Sequence, residues 1–234
     1  MYVYAANNPI KYTDPDGRDA WNSFNEWTPE YIEQYSQYVD SKIEQYQNNN
    51  QKFTCEDLSL CLLIDFASEN NLPITITNGT GTYSSNSEDF SSIEEFKETV
   101  LSSTGACDLK FNTIDIDISK MQAGDLICMD IGTPWGPQDG EYSHIQVINI
   151  RLGDCFGIRQ GNIERGSSKY NSVFYGGEYI QNRVYNFKKD IFMNINKGSS
   201  VPEATSAFGM AFRRWDFYKW NPQKDGTDKQ GAEE

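Results

Sequence analysis

The chain has 234 residues, 38% of them hydrophobic and 14% aromatic, which is enough for one domain with a substantial core. Its 34 acidic and 20 basic residues give a net charge of −14, which argues against a nucleic-acid partner because such partners require a basic face. The five cysteines include no C-x-x-C pair, so they indicate neither a disulfide framework nor a zinc site and predict folding in a reducing compartment.

The first 18 residues are rich in turn formers and have no helical period. Residues 8–17 read NPIKYTDPDG. This segment closely resembles the end of the core module of RHS/YD-repeat proteins, where an N-P-I-x-Y-x-D-P-x-G motif borders a variable C-terminal toxin. The resemblance implies that 1–18 end such a core and that 19–221 form a toxin domain. It also implies synthesis in a bacterial cytoplasm, secretion within a larger effector, and a cognate immunity protein as partner.

No cleaved signal peptide is recognisable, and no segment approaches the length of a membrane span. We therefore expect export by another route and no membrane-spanning element. The polar residues 222–234 predict a disordered tail.

The first predicted helix covers residues 28–47, with Thr28 as N-cap and Pro29 at the first helical position. Its large apolar residues recur on one stripe, which we interpret as a core-facing surface. The stripe consists of Tyr31, Tyr35, Tyr38, Val39, Ile43 and Tyr46.

The stretch from Phe53 to Pro73 predicts a buried helix with a cysteine in its first turn. Thr54 is the predicted N-cap and Asp57 completes a capping box, which places Cys55 at the first helical position. Unpaired backbone N–H groups and the positive end of the helix dipole favour thiolate over thiol there. Asp57 is assigned to the cap, with a substrate contact as the weaker alternative.

Residues 74–84 predict a hairpin around Asn78-Gly79, and residues 91–103 predict an amphipathic helix with Gly105 as its C-cap. From about residue 113 the apolar period becomes two, which is typical of antiparallel strands. A short helix is predicted at 203–207. The predicted strands are 114–118, 123–132, 143–151, 156–162, 177–187, 190–195 and 210–220.

His144 is the chain's only histidine, and it begins one of these strands. The next strand ends in Gln160-Gly161-Asn162, a spacing that brings Gln160 or Asn162 beside His144 across a hairpin. A nucleophilic thiol needs an imidazole within reach, and that imidazole needs a polar partner to set its orientation. Cys55, His144 and one of the two amides therefore predict a catalytic set, with no metal and no cofactor.

These segments resemble the papain-like amidases and peptidases of the NlpC/P60 and CHAP type. In those proteins a helix-borne Cys faces a sheet, a P/A-G-D-L-I/V strand precedes a G/S-H-I/V strand, and an E-x-N pair follows. The matching segments here are Cys55, AGDLI at 123–127, SHI at 143–145 and QGN at 160–162.

The resemblance implies an α+β papain-like fold, with Cys55 as nucleophile and His144 as general base and then acid. Gln160 or Asn162 would orient the imidazole. The sequence departs from the pattern because Gln160 stands where a carboxylate is expected.

The predicted function is a thiol-dependent amidase or peptidase that acts as an antibacterial toxin on peptidoglycan stem peptides or on a protein. One alternative is a deamidase, transglutaminase or acyltransferase with the same residues. The others are a nuclease toxin, which the charge disfavours, and a non-catalytic binding module in which Cys55 and His144 are structural.

Overall fold

A computed structural model describes residues 19–129, 142–162, 177–194, 203–204 and 210–222. The RHS-like leader 1–18 and the predicted tail beyond residue 222 lie outside the described residues. Within them the chain is α+β: helices pack on an antiparallel sheet. No described helix has the length and apolar character needed to cross a bilayer.

Helix α1 spans Pro29–Asn48 and confirms the first predicted helix. Thr28 Oγ1 accepts a hydrogen bond from the Tyr31 N–H at 3.4 Å, which satisfies one of the unpaired donors of the first turn. The stripe faces inward, and its most deeply buried members are Tyr35, Val39, Ile43 and Tyr46.

Helix α2 spans Cys55–Glu69, so Cys55 is the first helical residue, as predicted. Thr54 Oγ1 accepts from the Asp57 N–H at 3.3 Å. Every residue from Leu58 to Ile64 is buried, which a helix achieves only when packed on several sides. This helix is therefore the centre of the helical layer.

The remaining elements on this side of the chain are short. The predicted hairpin is confirmed as β2 (Thr75–Thr77) and β3 (Thr82–Ser84), and α3 spans Ile93–Ser103. A two-residue strand, β1 (Lys52–Phe53), immediately precedes α2 and pairs with β8 (Glu178–Tyr179).

The main sheet has the order β11-β10-β9-β7-β6-β5-β12-β4 among the described residues, with antiparallel neighbours throughout. Its strands are β4 (Thr113–Asp115), β5 (Leu126–Met129), β6 (His144–Leu152), β7 (Cys155–Gln160), β9 (Gln181–Asn186), β10 (Ile191–Asn194), β11 (Glu203–Ala204) and β12 (Met210–Trp215).

Three predicted strands are interrupted. The strand predicted at 210–220 ends at Trp215 and is followed by a 3₁₀ helix at Phe217–Trp220. The strand predicted at 114–118 ends at Asp115 because Asp117 Oδ1 accepts from the Ser119 N–H at 2.8 Å and turns the chain into a short 3₁₀ helix. The segment 177–187 divides into β8 and β9, which pair with different partners, β1 and β7.

Two local predictions are wrong. Gly105 is not the C-cap of α3: Thr104 holds that position, while the Gly105 N–H donates to Asp108 Oδ2 at 2.8 Å and begins a 3₁₀ helix. Residues 203–204, within the helix predicted at 203–207, are a strand because they pair with β10. Long-range pairing overrides local propensity at this position.

The sheet has two differently covered faces. Leu126, Cys128, Ile145 and Val147 belong to the core under the helices, which we call the helix face. Their neighbours along each strand point the other way and form a second core on what we call the far face. That second core consists of Met121, Ile127, Met129, Ile148, Phe156, Ile158, Tyr185 and Phe192.

Candidate active site

Cys55 lies against the beginning of β6. Its side chain is 6% exposed, and its thiol donates a hydrogen bond to Glu56 Oε2 at 2.9 Å. The backbone of Ile145 lies close enough to the sulfur to act on the pKa of the thiol, in the direction that lowers it. Because Ile145 follows His144, the thiol of α2 touches the main chain next to the only histidine of the sequence.

The pKa of the Cys55 thiol is raised well above its usual value, first by burial and then by the neighbouring Glu56 carboxylate. The expectation of a thiolate at this helix terminus is therefore wrong for the unliganded protein. Hydrogen bonds from the Ile145 and Glu56 backbones favour the thiolate, but desolvation and like charge outweigh them.

The chain just before Cys55 is held between two glycines. A Cβ on Gly161 would lie 2.3 Å from the Phe53 carbonyl oxygen, and one on Gly177 would lie 2.3 Å from the Phe53 carbonyl carbon. The Asn162 N–H donates to the same Phe53 oxygen at 3.1 Å. The Gln-Gly-Asn segment therefore packs against the residues that lead into the thiol.

His144 is 6% exposed and bonds the end of the next strand. Its Nε2 lies 3.1 Å from Gln160 Oε1, so Gln160 rather than the Asn162 side chain contacts the ring. Burial and the charge of Arg183 lower the pKa of His144, and the bond to Gln160 opposes them only in part. The imidazole is neutral at pH 7 and able to accept a proton.

Cys55 and His144 share no hydrogen bond in the described structure. His144 lies on the far face with Gln146, whereas Ile145, beside the sulfur, lies on the helix face. The Ile145 nitrogen is two covalent bonds from the His144 Cα, so the sulfur beside Ile145 lies near the start of β6. The two groups approach the end of β6 from its two faces.

Two glutamines connect the imidazole to a carboxylate, and a third glutamine bonds the first of them from β6. Gln160 Oε1 also accepts from Gln146 Nε2 at 2.6 Å, and Gln160 Nε2 donates to Gln181 Oε1 at 3.3 Å. Gln181 Nε2 then donates to Glu178 Oε2 at 3.0 Å. Sequence analysis missed Gln146, Gln181 and Glu178, although Gln146 stands two residues after His144 and period two places both on one face.

A pocket of about 230 Å³ opens over these residues on the far face. It is lined by Met129, His144, Gln146, Gln160, Asn162, Arg183 and Phe192. Gln146 is only 1% exposed, and its Oε1 receives no hydrogen bond from any described residue. The pocket therefore contains a buried acceptor beside the imidazole, while Cys55 is not among its lining residues.

Three further residues that the sequence singled out have structural roles. Gly124 has φ +89°, and a Cβ there would lie 2.6 Å from the Tyr35 ring, so the turn into β5 requires glycine. Asp125 forms a two-point ion pair with Arg214 of β12 at 2.7 and 2.8 Å. Asp57 belongs to the cap of α2, and burial raises its pKa to about 6.

No model of a protein family matches the chain, and no curated protein or solved structure matches it.

Proposed function

We propose that the protein is a thiol-dependent amide-bond hydrolase in which Cys55 is the nucleophile and His144 is general base and then acid. One observation carries the proposal: the thiol-bearing tip of α2 packs beside Ile145, and the adjacent His144 bonds Gln160. A cysteine, a neutral imidazole and an orienting amide thus converge at one end of β6 and β7, as nucleophilic thiol catalysis requires.

The bond to Gln160 assigns the two ring nitrogens of His144. A carbonyl oxygen only accepts, so the nitrogen facing it, Nε2, carries the proton. Nδ1 is then the basic nitrogen. Catalytic contacts are often long before substrate binds. We therefore propose that the Cys55 sulfur and the His144 ring come within hydrogen-bond distance when substrate binds.

The reaction begins when the Cys55 thiol transfers its proton to His144 Nδ1 while the sulfur bonds to the substrate carbonyl carbon. The C–N bond then breaks and the imidazolium returns the proton to the leaving nitrogen, which leaves a thioester on Cys55. Water gives a proton to His144 as its oxygen attacks the thioester. The C–S bond breaks, the sulfur is reprotonated and a carboxylic acid is released.

The order of elements supports a papain-like fold for this chemistry. Helix α2 carries the cysteine at its first residue, and β5, β6 and β7 lie side by side in the sheet against which it packs. The Ala123–Ile127, Ser143–Ile145 and Gln160–Asn162 segments occupy β5, β6 and β7 or their ends.

The far-face pocket supports a substrate that carries an N–H group. Gln146 Oε1 is a buried acceptor that an amide N–H would satisfy, which removes the cost of leaving it unpaired. Peptidoglycan stem peptides carry such N–H groups and are the substrate that we favour over a protein.

The RHS-like border at residues 8–17 supports an antibacterial toxin role for this hydrolase. In this account the domain is secreted within a larger effector and a cognate immunity protein neutralises it. The acidic chain, with net charge −14, disfavours the alternative of a nuclease toxin.

The test is to incubate the purified chain with peptidoglycan sacculi and to identify released fragments by mass spectrometry. We expect peptide-bond cleavage that falls ~10³-fold or more in Cys55→Ala, because the nucleophile is lost. Cys61→Ala is the matched control, since Cys61 is a buried cysteine of the same helix outside the site. Equal cleavage by Cys55→Ala would contradict the proposal.

A growth assay separates the two substrates. Expression with an export signal should arrest bacterial growth if the substrate is the cell wall, and expression without one should arrest it if the substrate is a cytoplasmic protein. Both effects should require Cys55 and His144. Toxicity that survives both substitutions would leave only a non-catalytic binding module.

A further inference from the structure

We propose that Glu178 is a positioning residue that sets the protonation pattern of His144 through two intervening glutamines. The catalytic meaning of this inference rests on the proposed function, but the structural claim concerns only which ring nitrogen of His144 carries the proton. It supplies what the sequence lacks, a carboxylate for the imidazole, because Gln160 stands where the resemblance expects one.

Glu178 decides which group donates and which accepts along the series of hydrogen bonds from Glu178 to His144. An ionised carboxylate accepts hydrogen bonds and donates none, so the amide group of Gln181 that faces Glu178 Oε2 at 3.0 Å must be its NH₂. The carbonyl oxygen of Gln181 then points at Gln160. That oxygen accepts from Gln160 Nε2 at 3.3 Å, which turns the Gln160 oxygen towards β6.

The Gln160 oxygen receives two donors from β6. Gln146 Nε2 donates at 2.6 Å, and His144 Nε2 is 3.1 Å away. An oxygen with two lone pairs accommodates both, provided that the histidine nitrogen is the protonated one. The carboxylate therefore imposes the Nε2–H form on a ring that it does not touch.

Burial makes the reverse direction costly. Gln160 and Gln146 are 2% and 1% exposed, so no bulk water is present to compensate a mismatched pair. Turning both amides of Gln160 and Gln181 would point the Gln181 oxygen at the Glu178 carboxylate, acceptor against acceptor. Turning Gln160 alone would set its oxygen against the Gln181 oxygen and its NH₂ against the Gln146 NH₂.

Glu178 is also tied to the chain that carries the nucleophile. It pairs with Phe53 in the β1–β8 ladder, and its N–H donates to the Asn162 carbonyl at 2.8 Å. Strand β8 thus pairs with the residues that precede Cys55 and also contains Glu178, the carboxylate that bonds Gln181. Both Cys55 and the glutamines beside His144 are therefore positioned by β8.

The test is long-range ¹H–¹⁵N NMR of the imidazole near pH 7, which distinguishes the two neutral tautomers by their nitrogen shifts. The single histidine makes the assignment unambiguous. We expect the Nε2–H form in the natural chain. In Glu178→Lys the ammonium donates instead of accepting, so the chain should reverse and the ring should become Nδ1–H.

Two more variants test the same inference if Glu178→Lys does not fold. Gln181→Leu breaks the chain and Glu178→Gln removes the obligatory acceptor, and both should give a mixture of tautomers. Asp154→Asn is the matched control for charge, because Asp154 pairs with Lys188 on the surface at 3.1 Å. An Nδ1–H ring in the natural chain, or a pure Nε2–H ring in every folded Glu178 and Gln181 variant, would overturn the inference.

Activity separates this inference from the proposed function. The Cys55→Ala variant should keep the Nε2–H form, so the tautomer result stands whether or not the chain is a hydrolase. If it is one, Glu178→Lys should lower kcat ~10²-fold or more with KM little changed, because a wrong tautomer removes the base without removing substrate contacts.

Discussion

At the scale of single residues, the protonation state of Cys55 decides how the site works. Burial and the Glu56 carboxylate raise the pKa of the thiol, and burial lowers the pKa of His144. Both groups are therefore neutral near pH 7, and no stored thiolate–imidazolium pair exists before substrate binds. In the proposed mechanism the proton moves during the reaction, so His144 would act as a base rather than as a counter-ion.

The Glu56 carboxylate disfavours the thiolate form of Cys55, and this effect can be tested by substitution. The Glu56→Gln substitution removes the negative charge 2.9 Å from the sulfur and should lower the pKa of Cys55. Each unit of that shift raises the thiolate fraction roughly tenfold, so Cys55 should react faster with iodoacetamide at pH 7. Peptide mapping by mass spectrometry gives the rate at this cysteine alone.

Glu94→Gln provides the control for this substitution, since Glu94 is an exposed residue in the first turn of α3. It removes the same charge at a helix start away from the site. Alkylation of Cys55 that is unchanged or slower in Glu56→Gln would show that the carboxylate does not suppress the thiolate.

At the scale of elements, the two-residue strand β1 sets the position of Cys55. It pairs with β8 and lies between Gly161 and Gly177, with no room for a side chain at either glycine. Because α2 begins two residues after Phe53, a displacement of β1 moves Cys55 directly.

The Gly161→Ala substitution tests whether the packing of β1 between Gly161 and Gly177 positions Cys55. Its methyl group would lie 2.3 and 2.4 Å from the Phe53 and Thr54 carbonyl oxygens, which are backbone atoms. Such overpacking costs about 1–3 kcal/mol of the free energy of unfolding, and the shift of β1 should also reduce hydrolysis. Urea unfolding and the sacculus assay measure the two effects.

The Gly81→Ala variant is the matched control, because its methyl group would meet only the Tyr83 side chain, with the hydroxyl oxygen at 3.7 Å, an ordinary contact. We expect unchanged hydrolysis there. A Gly161→Ala protein as stable and active as the Gly81→Ala protein would show that this packing does not position Cys55.

The helices could be predicted from sequence because their signals are local. Thr28 with Pro29 and Thr54 with Asp57 mark two helix starts within a few residues, and both starts are confirmed. The division between β8 and β9 has no such local signal, since it depends on pairing with β1 and β7. Gln181 and Glu178 lie on either side of that division, which is why the glutamine chain was not anticipated.

At the scale of the whole molecule, the sheet joins parts of the chain that no local pattern connects. Strand β12 enters between β4 and β5, and Arg214 reaches Asp125 across 89 positions of sequence. Sequence spacing did anticipate the contact of His144 with Gln160, because adjacent antiparallel strands keep a simple register. It did not anticipate that His144 and the core around Cys55 occupy different faces of the sheet.

Cys55 and His144 lie on different faces of the sheet, but both are at the end of the sheet where β6 begins. There the helical layer supplies the sulfur and the far face supplies the imidazole, the glutamines and the pocket. We propose that the His144 imidazole nevertheless takes the proton of the Cys55 thiol, although the start of β6 lies between them.

The alkylation rate of Cys55 at pH 7 in the natural chain and in His144→Ala tests that claim most directly. Exposed Cys107 in the same molecule is the internal control. The account predicts that the substitution slows alkylation of Cys55 at least tenfold, since general-base assistance contributes ~10²–10⁴ in rate, and leaves Cys107 unchanged. Equal Cys55 rates in the two folded proteins would show that the imidazole does not activate the thiol.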